Sequence, residues 1–173
     1  MTCIVGIEHE GTVYIAGDSA GVDGCGIRTV RADEKVFVVG GIVYGFTTSF
    51  RMGQILRYSF VPPQRNDKGD MAYLATDFVQ EARRCFKEHG YEQGGTFLIG
   101  YRGHLYRVDE DYQVGRSVDD FQACGAGYEV ALGSLFSSVG EPPIDRCKLA
   151  LAASAHFVTS VHGPFNIEQW PEK

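Results

Sequence analysis

The chain is short of several things, and each shortage excludes something. No stretch of 18 or more apolar residues occurs, so no segment is expected to span a membrane. Positive charge is in deficit: 16 Lys and Arg against 22 Asp and Glu give a net charge of −6. A nucleic-acid binder normally carries a basic face, so no nucleic-acid partner is expected. The five cysteines (Cys3, Cys25, Cys85, Cys124 and Cys147) contain no CxxC pair, and the five histidines show no zinc-ligand spacing. An odd, dispersed set of cysteines fits a reducing compartment and reads as small buried hydrophobes. No metal and no cofactor is expected. The opening Met1-Thr2-Cys3-Ile4-Val5 lacks the positive segment of a secretory signal and soon meets Glu8 and Glu10, which points to a cytoplasmic protein. Proline is scarce at 6 residues while glycine reaches 22, so tight turns rather than disorder are expected.

What is present describes a globular chain. Its 173 residues are 44% hydrophobic and 22% charged, and with no linker, repeat or low-complexity tract they read as one domain over 1–173. Apolar runs at Ile4–Ile7 and Val13–Ala16 flank Glu8–Gly11 as a hairpin. Lys35–Val39 and Ile42–Phe46 flank Gly40-Gly41 as a second. Gly21 to Gly26 reads as a loop. A helix is expected over Phe50–Ser59, stopped before Pro62-Pro63, and a longer one over Met71–His89. In the longer helix Asp70 would be the N-cap and Gly90 the stop, with Met71, Leu74, Ala75, Phe78, Ala82, Cys85 and Phe86 on its apolar face. Strands return at Thr96–Tyr101, His104–Val108 and Phe121–Cys124. Two helices follow, Tyr128–Ser138 and Pro142 to about Ala155, the second with Ile144, Cys147, Leu151 and Ser154 on one face. A last strand is expected at Phe165–Gln169. Antiparallel strands alternating with helix pairs predict an α+β fold, a four-layer αββα sandwich of two antiparallel sheets covered by helix pairs.

Thr2 is the first candidate for chemistry. Once Met1 is removed, it carries a hydroxyl nucleophile and an α-amine base on one residue. That amine titrates near 7.7–8.0, suited to a general base. Asp18 lies 16 residues after Thr2 in Gly17-Asp18-Ser19, Lys35-Val36 opens a later strand, and Gly125-Ala126-Gly127 precedes a helix rich in small residues. Together these features resemble the proteasome β-type family of N-terminal-threonine (Ntn-type) hydrolases, and within it the HslV-type peptidase rings. The resemblance spans the chain in element order and reaches single residues over about 2–50 and 121–160.

The resemblance implies a threonine-type endopeptidase, with Thr2, Asp18 and Lys35 catalytic. Lys35 would set a positive charge beside the Thr2 hydroxyl, and Asp18 would hold Lys35. An ordinary surface ion pair is the plainer reading of those two. The family's oxyanion donor falls on Thr47-Thr48-Ser49, centred on Thr48. The S1 pocket would lie near Val30–Arg31 and Phe46–Ser49. Second-shell positions of the family map to Ala126, His156 and Thr159, where it has serine, aspartate and serine; His156 is also readable as a satisfied core histidine. Cys3 would become a nucleophile only if both residues before it were lost. The implied partners are further copies of the chain in a ring, an ATPase unfoldase and an unfolded polypeptide substrate. Two other readings stay open: a non-catalytic ring or scaffold protein, and a small-molecule amidohydrolase of the same fold.

Overall fold

The structure, a computed structural model, describes residues 2–171. The chain is a mixture of helices and antiparallel sheets. β1 (Cys3–His9), β2 (Thr12–Gly17), β10 (Phe121–Gly125) and β11 (Asn166–Trp170) form one sheet in the order β10-β1-β2-β11. β5 (Val36–Val39), β6 (Ile42–Phe46), β7 (Phe97–Tyr101), β8 (His104–Val108) and β9 (Val114–Gly115) form a second in chain order. The turns at Gly40-Gly41 and Arg102-Gly103 have positive φ at both positions, as the expected two-residue hairpins require.

The period-two alternation of each strand decides what its faces touch. In β1, Ile4 points to a cluster with Val36, Val43, Leu98 and Leu105 of the second sheet. Its neighbours Cys3, Val5 and Ile7 point the other way, into a cluster with Ala131, Leu135, Cys147 and Leu151. Those last four belong to α4 (Tyr128–Ser137) and α5 (Pro143–Phe157). β6 alternates likewise. Val43 faces the first sheet, while Ile42, Tyr44 and Phe46 join Ile55 and Leu56 of α1 (Phe50–Tyr58) and Phe78, Ala82 and Phe86 of the following helical segment. Each fully buried side chain of this size contributes about 1.5–3 kcal/mol of transfer free energy.

Several expectations are corrected. The Gly21–Gly26 loop contains strand: β3 (Ala20–Val22) and β4 (Arg28–Val30) pair as a small separate hairpin. The long helix is not uniform. α2 (Asp70–Tyr73) passes through a π turn (Leu74–Phe78) into α3 (Val79–Glu88). The wider turn rotates the apolar face, so Tyr73 and Val79 are buried while Met71 and Ala75 are exposed. Gly69, not Asp70, is the N-cap. The Asp70 carboxylate instead pairs with Arg65 at 2.7 Å and Arg102 at 3.3 Å.

Candidate active site

β1 begins where three other segments converge, and the convergence is built from hydrogen bonds. The carbonyl of Thr2 accepts from Ala126 N at 2.6 Å, and the carbonyl of Cys3 accepts from Asp18 N at 3.2 Å. The Cys3 N–H donates to Asp18 Oδ1 at 3.0 Å. Gly125 makes the first of these contacts sterically feasible. Its φ is +96°, and a Cβ there would stand 2.0 Å from the Thr2 oxygen. The expected Gly125-Ala126-Gly127 turn is therefore the seat of the first residues of the strand.

Asp18 and Lys35 are not a surface pair. Their side chains are 0% and 1% exposed, and Lys35 Nζ donates to Asp18 Oδ1 at 2.8 Å and to the carbonyl of Ala20 at 2.6 Å. The other oxygen, Asp18 Oδ2, accepts from Ala20 N at 3.0 Å and His162 N at 3.3 Å. A buried carboxylate with four donors and an ammonium with two acceptors meets the condition under which buried charge is tolerated. Burial lowers the pKa of Lys35 below its ordinary value, and the charge of Asp18 opposes that shift. Because Asp18 Oδ1 serves both Lys35 Nζ and the Cys3 N–H, the ammonium is tied to the peptide that follows Thr2.

Thr2 is 5% exposed, and what shows of it opens on a cleft with two compartments. The smaller is walled by Val22, Phe46 and Phe50 together with the hydroxyl residues Thr2, Thr47, Thr48 and Ser49. The wider is flanked by Arg107, Glu110 and Tyr128. Thr2, Thr47 and Thr48 belong to both. Thr48 has φ +64°, a left-handed conformation that costs a β-branched residue about 1–3 kcal/mol and marks a constrained site. It is held there by Thr96 N, which donates to Thr48 Oγ1 at 3.2 Å, and by its hydroxyl contact with Thr47 Oγ1 at 3.2 Å. Among the described residues nothing accepts from the Thr48 N–H. Ser49 is occupied elsewhere, capping α1 through Arg51 N at 3.1 Å.

The other expected residues divide. Ala126 lines the wider compartment, as its place in the turn requires. His156 and Thr159 do not reach the site. Both are exposed, and the His156 ring packs edge-on against Phe157, with centroids 4.7 Å apart. The buried hydroxyl on α5 is Ser154, which donates to the Gly127 carbonyl at 2.9 Å and accepts from Cys3 Sγ at 3.5 Å. Of the expected S1 residues, Phe46 to Ser49 line the smaller compartment, whereas Val30 is exposed and Arg31 is paired with Asp33 and lies 4.2 Å over the Phe50 ring. Cys3 is fully buried, and burial pushes its thiol up to about 11. Met1, whose removal the sequence reading requires, lies outside the described residues. Arg107, Glu110 and Tyr128 carried no sequence signal, because they reach the cleft from two segments far apart in the chain, the end of β8 and the start of α4. Among the described residues no group of His, Cys, Asp and Glu is arranged to hold a metal. No helix is long and apolar enough to cross a membrane.

No protein-family model and no curated protein matches the chain. Solved structures do. Thiobacillus denitrificans BPH in complex with Epoxomicin is similar with a TM-score of 0.81 and 22% identity, over 97% of each chain. Eukaryotic HslV from Trypanosoma brucei is similar with a TM-score of 0.71 and 15% identity, over 97% of this chain and 98% of that one. Anbu (ancestral beta-subunit) from Yersinia bercovieri gives 0.72 and 15%, over 98% of this chain and 82% of the other. At these identities the likeness is one of fold, and the chain has the proteasome β-type, HslV-like fold that the sequence resemblance implied.

Proposed function

We infer that the chain is one domain, a four-layer αββα Ntn-type hydrolase, and works as a threonine-type endopeptidase whose nucleophile is Thr2 after removal of Met1. The observation that carries this reading is the buried Lys35–Asp18 pair tied to the Thr2–Cys3 peptide beneath a cleft that Thr2 lines. In the proposed reaction the Thr2 hydroxyl adds to the scissile carbonyl and its proton passes to the α-amine, directly or through water. The Thr48 N–H supports the oxyanion. Collapse breaks the C–N bond, the leaving amine takes the proton, and an ester to Thr2 remains. Water then cleaves the ester, giving a carboxylic acid and regenerating Thr2. Lys35 acts through its positive charge, which favours the alkoxide over the hydroxyl. Asp18 positions Lys35.

The resemblance supports assembly into a homo-oligomeric ring that admits unfolded polypeptide, with an ATPase unfoldase as partner and the cytoplasm as its place. Hydrolysis of peptide amides by the Met1-processed protein, abolished by Thr2→Ala, is the expected result. A processed, folded protein that cleaves no peptide contradicts it. One observation favours a second reading, a non-catalytic ring or scaffold protein. Ala126 brings no hydroxyl to the cleft, and His156 and Thr159 point away from it, so fewer side chains hold the Thr2 amine. Retention of Met1 in the native protein supports that reading over the first. A third, a small-molecule amidohydrolase, is distinguished by faster cleavage of acyl amides than of peptides.

A further inference from the structure

Of the two compartments beside Thr2, the wider one carries an unbalanced charge. Arg107 does not supply positive charge to it freely. Its guanidinium is paired with Asp109, with Nε and Nη2 both at 2.8 Å, and Nη1 donates to the Ala123 carbonyl at 3.3 Å. Glu110, the next residue, is exposed, and among the described residues no cation pairs with its carboxylate. Its backbone is fixed: a Cβ on Gly94 would stand 1.9 Å from the Glu110 carbonyl, so the two segments are in close contact. Tyr128, 38% exposed at the start of α4, adds an aromatic ring to the same compartment. A carboxylate and an aromatic face in one cleft suit an alkylammonium or guanidinium, which gains from the charge and from the ring.

We propose that Glu110 is a specificity-determining residue: with Tyr128 it makes the cleft select peptides bearing a lysine or arginine beside the scissile bond. The proposal rests on the peptidase reading for its meaning, but it concerns binding and is tested by binding. The probes are three blocked pentapeptide amides that differ only at the residue after a central leucine, which is lysine, norleucine or glutamate. Their affinities for the full-length Thr2→Ala protein, which holds peptide without cleaving it, are measured by calorimetry. The lysine peptide is expected to bind about 1.5- to fivefold more tightly than the norleucine peptide, the range for an exposed ion pair. The ratio should shrink in about 0.5 M NaCl. In Thr2→Ala/Glu110→Gln it should approach one, and in Thr2→Ala/Glu110→Lys the glutamate peptide should bind best. Equal affinities, preference for glutamate in the Thr2→Ala protein, survival of the ratio in Glu110→Gln, or no binding of any peptide overturns the proposal. Cleavage of the same peptides by the processed wild-type protein is scored separately. An intact affinity ratio without cleavage overturns the peptidase reading alone, and cleavage without the ratio overturns the role of Glu110 alone.

Discussion

Lys35 carries the largest electrostatic stake of any single residue. It is 1% exposed and bound to a carboxylate that is itself fully buried. Truncating it strands Asp18, and a buried charge that loses its partner costs about 3–5 kcal/mol. Lys35→Ala is therefore expected to lose activity and to lower the unfolding free energy extracted from urea titration by that amount. The ammonium must be protonated to stabilise an alkoxide, and its pKa is lowered by burial. Peptidase activity should thus rise through the α-amine pKa near 7.7–8.0 and fall on an alkaline limb below the ordinary lysine value of 10.5. A pH–rate profile whose alkaline limb lies at or above 10.5 would separate Lys35 from the reaction. The thiol of Cys3, raised to about 11, does not supply that limb. Burial also protects it. Cys25 is the exposed cysteine and the other four are buried, so alkylation of the folded protein at neutral pH should label Cys25 and leave activity intact. Labelling of Cys3 with loss of activity would show that the start of β1 opens in solution.

At the scale of elements, the turn at Gly125 decides whether Thr2 is seated. Gly125→Ala places a Cβ against the Thr2 carbonyl at a positive φ, so the Thr2–Ala126 hydrogen bond must break. A loss of about 2–4 kcal/mol and of peptidase activity is expected, measured by denaturant unfolding alongside a peptide assay. Unchanged stability would mean that β10 does not hold the strand there. The legible parts of the fold are those fixed by local chemistry. The Gly40-Gly41 turn and the Pro143 helix start depend on neighbours close in sequence, whereas the Thr2, Asp18 and Lys35 set was legible through the family resemblance. β3 and β4 were not legible, because strands of three residues that are largely exposed leave no apolar alternation. The π turn was not legible either, since it shifts the phase of a periodicity that otherwise reads as one helix. On α5 the buried stripe through Cys147, Leu151 and Ser154 was readable, and helical geometry excludes His156 from it. Two residues beyond Ser154 lie about 200° around the axis, so His156 faces outward. The family's aspartate maps onto His156, which the period of the helix turns outward.

At the scale of the whole molecule, the outer helices keep apolar side chains in the open. Phe136 and Phe157 are each more than 70% exposed, and Leu149 lies on the same helix pair. A chain of this size that assembles buries such groups between copies. Light scattering on the purified protein should give a mass that is a multiple of 19.0 kDa, and a monomer across the micromolar range would contradict the ring. Such an assembly would restrict access to the cleft without altering its chemistry, so the central claim concerns a single residue in every copy. Intact mass spectrometry reads it directly, before and after treatment with an electrophilic, threonine-directed inhibitor. The account predicts loss of Met1 and one adduct per chain on Thr2, absent in Thr2→Ala. A processed, folded chain that takes no adduct, or takes it equally in Thr2→Ala, would contradict it.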